Sequence, residues 1–131
     1  MSELKKYQMF IDGQWVDSDT KKTFETLNPE NNKPWAVVPE ASANDVDRAV
    51  KAAQKAFEGE WPKMLARDRA KYLRAIGNKL RENSELLGKI ETIDTGKLYR
   101  ETYQQAKYIA EYYDYYAGLA DKVEGTVLPI D

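Results

Sequence analysis

The sequence has no cysteine and no histidine among its 131 residues. Without cysteine there is no disulfide framework, thiolate nucleophile or zinc–thiolate site, and without histidine the usual neutral-pH proton shuttle is missing. No apolar run approaches the roughly 18 residues of a membrane-spanning helix, and Met1-Ser2-Glu3-Leu4-Lys5-Lys6-Tyr7 has no h-region or cleavage site. The expected location is cytoplasmic, with no membrane partner. An excess of one charge is lacking too: 20 basic and 22 acidic residues leave a net charge of −2. With the signs interspersed there is no basic stripe to neutralise phosphates, so nucleic acid is not an expected partner. Core material is also scarce, since Leu, Ile, Val and Phe together make only 26 of 131 residues. The near-balanced charge argues against disorder. A lean core with balanced charge implies a segment, about one domain long, that completes its burial against something else.

What is present begins with turn chemistry. Met9, Ile11, Trp15 and Val16 flank Asp12-Gly13, a dipeptide that favours positive φ at glycine, which predicts a β-hairpin over residues 8 to 17. Thr23 to Leu27 predicts a short strand closed by Asn28-Pro29, because proline removes a ladder donor, and Trp35 to Val38 a third extended piece. Ser42-Ala43-Asn44-Asp45 then offers an N-cap serine with a carboxylate at N3, close to a capping box. Val46, Ala49, Val50, Ala53 and Phe57 follow at helical spacing on one apolar face that Gly59 and Pro62 end. From Ala66 to Leu80 the stripe Arg69, Leu73, Ile76, Leu80 repeats the pattern, with the arginine snorkelling at its rim.

Asn83 or Ser84 is expected to cap a third helix bearing Leu86, Leu87, Ile90 and Ile93, with Gly96 as its left-handed end. A last helix, Tyr99 to Ala117, carries two stripes: Tyr103, Ala106, Ala110, Tyr113, Ala117 on one face, and Tyr108, Tyr112 with Tyr115 or Tyr116 on another. Two apolar faces imply burial on two sides. They also predict self-association, or dye-binding apolar surface, when the chain is alone. Gly118 is expected to stop this helix, and Thr126 to Ile130 to start a strand. The predicted fold class is α+β, with short N-terminal antiparallel strands followed by about four helices.

Motifs for chemistry are few. The glycines at 13, 59, 77, 88, 96, 118 and 125 never fall as G-x-G-x-x-G, and Gly96-Lys97 has no glycine five residues earlier, so neither a dinucleotide fingerprint nor a P-loop is present. Ser2 with Lys5 and Ser18 with Lys21 spell Ser-x-x-Lys by chance, and Ser42 and Ser84 are explained as helix caps. The pairs Asp45 with Asp47 and Asp68 with Glu82 read as solvated helix faces. The tyrosine helix reads as core. Its alternatives are the lining of an aromatic pocket and a platform for stacking bases, the latter opposed by Glu101, Glu111 and Asp114, which would repel phosphates. In Glu91-Thr92-Ile93-Asp94-Thr95-Gly96-Lys97 polar residues crowd a helix end, with Lys97 at the negative end of its dipole.

That segment resembles the E-T-x-D-T-G-K signature of the aldehyde dehydrogenase superfamily. Further landmarks resemble the family in the same order. They are Phe10-Ile11-Asp12-Gly13-Gln14-Trp15-Val16, the Phe24 to Pro29 turn, the Ala41 to Val50 helix start, Trp61 with Arg67 and Arg69, Tyr115-Tyr116-Ala117-Gly118, Glu124-Gly125 and Leu128-Pro129-Ile130-Asp131. Leu98, where the family often has proline, and Trp35, where a smaller residue is common, leave the subfamily open.

The resemblance covers residues 1–131 and implies the N-terminal portion of an NAD(P)-dependent aldehyde dehydrogenase, which oxidises aldehydes to carboxylic acids and often oligomerises. It implies that the nucleophilic cysteine, the oxyanion donor, the general base and the NAD or NADP site lie beyond these residues. The chain alone is then expected to be non-catalytic and to bind no cofactor. Its partners are the remainder of such a chain, another subunit, or copies of itself in a homo-oligomer. Two carry-overs follow from the resemblance: a monovalent cation held by oxygens at Thr26, Leu27 and Asp94, where Asp94 reads equally as a helix-end residue, and a substrate-tunnel wall at Gln104 and Tyr108. The alternative is a non-catalytic helical interaction module that keeps the same N-terminal fold.

Overall fold

The computed structural model describes residues 4–130. Ser2 of the first Ser-x-x-Lys pair and Asp131 of the last landmark lie outside them. Five short strands come first: β1 (Lys5–Lys6), β2 (Met9–Ile11), β3 (Gln14–Val16), β4 (Thr23–Asn28) and β5 (Lys33–Pro39). Asp12-Gly13 builds the predicted hairpin, because φ values of 51° and 77° make the left-handed pair whose twist suits the flanking strands. β2 and β3 accordingly pair antiparallel from Met9–Val16 to Ile11–Gln14. β4 pairs antiparallel with β5, and the register jumps from Thr26 opposite Ala36 to Leu27 opposite Pro34. Trp35 is the extra residue of this bulge, which falls where Pro34 has no N–H to give the ladder. β1 lies parallel to β5, giving the order β1-β5-β4. The sequence pattern predicted antiparallel pairing only, and a Lys-Lys strand has no alternation from which to read otherwise.

The predicted helices follow: α1 (Ala43–Glu58), a 3₁₀ turn at Trp61–Lys63, α2 (Ala66–Glu82), α3 (Ser84–Thr95) and α4 (Tyr99–Leu119). α1 has a full capping box: Ser42 Oγ accepts from the Asp45 N–H at 3.1 Å, and Asp45 Oδ2 accepts from the Ser42 N–H at 2.9 Å. Asn83 stands at the N-cap of α3 as expected, but neither its side chain nor that of Ser84 bonds the first N–H groups of the helix. Asn83 Nδ2 donates to the Lys79 carbonyl and Ser84 Oγ to the Arg81 carbonyl, at 2.8 and 3.0 Å. One residue separates the two helices, and these side chains turn back to last-turn carbonyls of α2, of which that of Lys79 also accepts from the Asn83 N–H at 3.1 Å, rather than to the N–H groups of α3. Gly96 takes the predicted left-handed position with φ 74°.

Gly118 does not stop α4, which runs on to Leu119 with Ala117 buried. Interior glycine costs about 1 kcal/mol relative to alanine, too little to break a helix anchored at the preceding residue. The expected strand at Thr126 to Ile130 is absent: these residues pair with nothing among those described, and Val127 is exposed. A strand needs neighbouring backbone to complete its ladder.

α4 forms the centre of the helical layer, against α2 and α3. Its buried positions, Thr102, Ala106, Ala110 and Ala117, are small. They meet glycines: a methyl added at Gly88 of α3 would lie 2.9 Å from the Tyr103 backbone, and one at Gly77 of α2 would lie 3.1 Å from the Ala110 carbonyl. Tyr103 and Tyr113 are half-buried and complete the predicted stripe. The second stripe, Tyr108, Tyr112, Tyr115 and Tyr116, is exposed, so α4 is buried on one side rather than two. The apolar face of α1 is uncovered as well, with Val46, Val50 and Phe57 exposed by 54%, 58% and 71%. No helix among the described residues is long and apolar enough to cross a membrane.

Candidate functional site

The Glu91–Lys97 segment ends α3 and fastens three elements together. Thr102, fully buried on α4, donates to the Gly88 carbonyl at 2.9 Å, sharing that proton with the Tyr99 carbonyl at 3.0 Å. A hydroxyl has one proton, so Thr92 is the donor in its 2.9 Å bond with Thr102. Thr95 Oγ1 donates to the Glu91 carbonyl at 2.7 Å. Gly96 passes so close to Pro29 that an added methyl would stand 3.0 Å from Pro29 Cγ. Lys97, expected at the negative helix end, instead pairs with the Glu91 carboxylate at 2.7 Å, a full charge in place of a partial one.

Asp94 completes the clasp, because its Oδ1 accepts from Thr26 Oγ1 at 2.8 Å across 68 residues of sequence. The structure thus brings Thr26 and Asp94 together and places Leu27 beside Thr26 across the bulge of β4. Thr26 is half-buried and Asp94 exposed. Among the described residues no three His, Cys, Asp or Glu side chains gather as a metal site. Any cation here would rely on hydroxyl and carbonyl oxygens with a single carboxylate, a donor set for a weakly held hard ion.

Asp45, which the pairing with Asp47 placed on a solvated face, is only 1% exposed in the structure. It accepts from the Ser42 N–H at 2.9 Å, Ser42 Oγ at 3.1 Å, Ser18 Oγ at 2.8 Å, the Asp19 N–H at 3.3 Å and the Arg48 guanidinium. These donors, the Ser42 N–H foremost, hold its pKa well below the usual carboxylate range, against burial, which pushes it up. Ser18 is equally buried and turns to Asp45, while Lys21 pairs with Asp17 at 3.6 Å. So ringed by donors, Asp45 stays ionised and has no free lone pair for proton abstraction; it ties the β3–β4 turn to α1. The capping box was legible, but the Ser18 partner 27 residues away was not.

Gln104 and Tyr108, one helical turn apart on α4, line a groove of about 500 Å³ with Gln105, Lys107 and Glu111. Tyr108 and Glu111 also line an adjoining groove of about 420 Å³ with Tyr112 and Tyr115. Tyr108 and Tyr112 join hydroxyls at 3.0 Å with their rings edge to face, and that bond raises the Tyr112 phenol pKa. An NAD pyrophosphate would need a glycine-rich loop at a helix start. The α-helices among the described residues start at Ser42, Leu65, Asn83 and Leu98, and the nearest glycine ahead of any of them is Gly96, two residues before Leu98, which ends α3.

The sequence pattern of the aldehyde dehydrogenase family matches residues 15–131. The (Z)-2-((N-methylformamido)methylene)-5-hydroxybutyrolactone dehydrogenase of Acinetobacter baylyi is 41% identical over 98% of this chain and 26% of its own length. Among solved structures, an NAD-dependent aldehyde dehydrogenase from Sinorhizobium meliloti superposes with a TM-score of 0.89 at 32% identity, covering 95% of this chain and 25% of that one. A betaine aldehyde dehydrogenase from Staphylococcus aureus, solved with NAD+, gives 0.86 at 42% identity, covering 94% and 25%. The chain therefore spans about a quarter of the length of the relatives it matches. Landmarks, fold and pattern agree, and the chain belongs to the aldehyde dehydrogenase family.

Proposed function

We propose that these residues form the N-terminal scaffold of a cytoplasmic, NAD(P)-dependent aldehyde dehydrogenase and do not oxidise aldehydes alone. The carrying observation is the uncovered face of α1. Covering what remains exposed of Val46, Val50 and Phe57 stabilises by about 1–2 kcal/mol each, a sum that approaches the lower end of the stability of a small domain. A helix with such a face is built to lie against further structure, and the relatives are four times as long. In that assembly NAD(P), bound elsewhere, supplies the hydride acceptor. The residues described here hold the frame: Asp45 fixes α1, the Thr92–Thr102 pair fixes α4, and Gln104 and Tyr108 form one wall of the substrate path.

A chimera tests this reading. With the matching quarter of the Acinetobacter enzyme replaced by this chain, aldehyde-dependent NADH formation is expected from the chimera and none from the chain alone. A folded but inactive chimera, or activity in the chain alone, overturns it. The cation site belongs to the same proposal: potassium or sodium is expected to raise the melting temperature of the chain, and Asp94→Asn to abolish the rise. An equal rise in the variant removes Asp94 from the site.

A further inference from the structure

The β3–β4 turn gathers positive charge on one side of the sheet. Lys21 has a backbone φ of 58°, in the left-handed region that a lysine seldom enters. Its N–H donates to the Ser18 carbonyl at 3.0 Å, and the Lys22 N–H donates to Thr20 Oγ1 at 3.3 Å, so the turn is held in this form by its own bonds. As a result Lys21 and Lys22 both line one concavity of about 530 Å³, whereas consecutive residues of an extended strand point to opposite sides. Lys6 of β1 lines it as well, so three lysines meet the single carboxylate of Asp17 there. Asp17 stands 3.6 Å from Lys21 Nζ in an exposed pair of the kind that neutralises little, and Lys22 has no ion pair among the described residues. Tyr7, Val37 and Pro39 supply the less polar part of the wall.

We propose that this concavity binds the phosphate group of a small phosphomonoester, with the ammonium groups of Lys6, Lys21 and Lys22 as its counter-charges. Such a group carries a charge of about −1.5 to −2 near neutral pH on three acceptor oxygens. That charge matches the excess of two positive charges that three lysines and one aspartate leave on the lining. Lysine suits the task because it meets phosphate as a point charge with rotatable donors and needs no fixed fork geometry. The volume is that of a small-molecule site and exceeds what a bare phosphate fills, so the organic part of the ester lies against Tyr7, Val37 and Pro39. A ligand seated there joins β1, the end of β5 and the β3–β4 turn. Ser18, in the same turn, donates to Asp45 at 2.8 Å, so the ligand also steadies the hold of the turn on α1. None of this depends on aldehyde oxidation.

Glycerol 2-phosphate, inorganic phosphate and glycerol, titrated into the purified chain at constant ionic strength while backbone amide resonances are followed by NMR, test the site. Glycerol 2-phosphate is expected to shift the amides of Lys6, Lys21, Lys22 and Thr23 and to bind more tightly than inorganic phosphate, while glycerol shifts none of them. Lys22→Gln, at an exposed position, is expected to weaken the ester about tenfold, the loss of one close charge partly screened by solvent. Lys33→Gln makes the same change of charge at the other end of β5 and should leave the affinity as it was. The ester should also raise the melting temperature of the unaltered chain and not that of Lys22→Gln. Binding that survives Lys22→Gln, or that Lys33→Gln weakens as much, overturns the site in favour of unlocalised attraction. Equal shifts with glycerol overturn the role of charge, and inorganic phosphate binding as tightly as the ester overturns the assignment to a phosphomonoester.

Discussion

Replacing Gly88 with alanine is expected to destabilise the fold by about 1–3 kcal/mol, although alanine is the better helix former by about 1 kcal/mol. The new methyl would sit 2.9 Å from both the N and Cα of Tyr103, and helical backbone atoms, unlike the end of a flexible side chain, cannot swing aside. α3 and α4 must separate, which stretches the 2.9 Å bond from Thr102 to the Gly88 carbonyl. Gly77 provides the internal comparison. A methyl there meets the Ala110 carbonyl at 3.1 Å and Tyr113 Cβ at 3.4 Å, contacts that a few tenths of an ångström relieve. Gly77→Ala should therefore cost less than Gly88→Ala, because its helix-propensity gain offsets part of the strain. Urea unfolding checks the pair: the midpoint for Gly88→Ala should fall well below that for Gly77→Ala with an unchanged slope. The reverse order would mean that α3 and α4 are not in backbone contact at Gly88.

Asp45→Ala should cost more stability than Ser42→Ala, which removes one cap and costs about 1 kcal/mol. Loss of the carboxylate takes the acceptor from the Ser42 and Asp19 N–H groups at once and also breaks the bonds from the Ser18 hydroxyl and the Arg48 guanidinium. The depressed pKa also sets a pH dependence. Folding lowers the value below the 3.8 of the free side chain, so the stabilisation is complete above that value and is lost as pH falls through the folded one. Unfolding midpoints should hold from pH 7 to about pH 5 and drop below pH 4. Asp45→Asn should flatten that drop, leaving the parts due to Asp17, Asp19, Asp68, Glu85 and Asp121, whose pKa values hydrogen bonds to neighbouring side chains also lower. A variant that keeps the full acid sensitivity would move its origin to other carboxylates.

Local rules made much of this fold legible. Asp12-Gly13 gave its hairpin, Ser42-x-x-Asp45 its capping box and Gly96 its left-handed end, because each feature depends on residues within one turn of chain. What failed depends on distance or on neighbours. The parallel β1–β5 contact joins Lys5 to Ala36 without any pattern in either. Asn83 and Ser84 face two sets of orphan groups, and only the packing decides which set they serve. Burial of Ser18 and Asp45 needs the β3–β4 turn laid on α1, and no spacing announces it. At the candidate site the tyrosine spacing located the α4 face, and the resemblance supplied Thr26 and Asp94. Sequence spacing could not tell a covered aromatic stripe from an uncovered one: both repeat every three to four residues.

The Gly88–Thr102 junction lies near one end of α4, and a 21-residue helix is a rod about 32 Å long. α2 grips α4 further along, at Gly77 against Ala110 and at Arg81 against Asp114, so a tilt of α4 about this junction carries α2 with it. A tilt of about 5° at Thr102 carries Tyr115, about 20 Å along the axis, sideways by nearly 2 Å. Displacements of that size are large beside the tolerances of substrate positioning. Slack in a threonine hydroxyl that touches no ligand would thus be magnified where the aromatic groove lies.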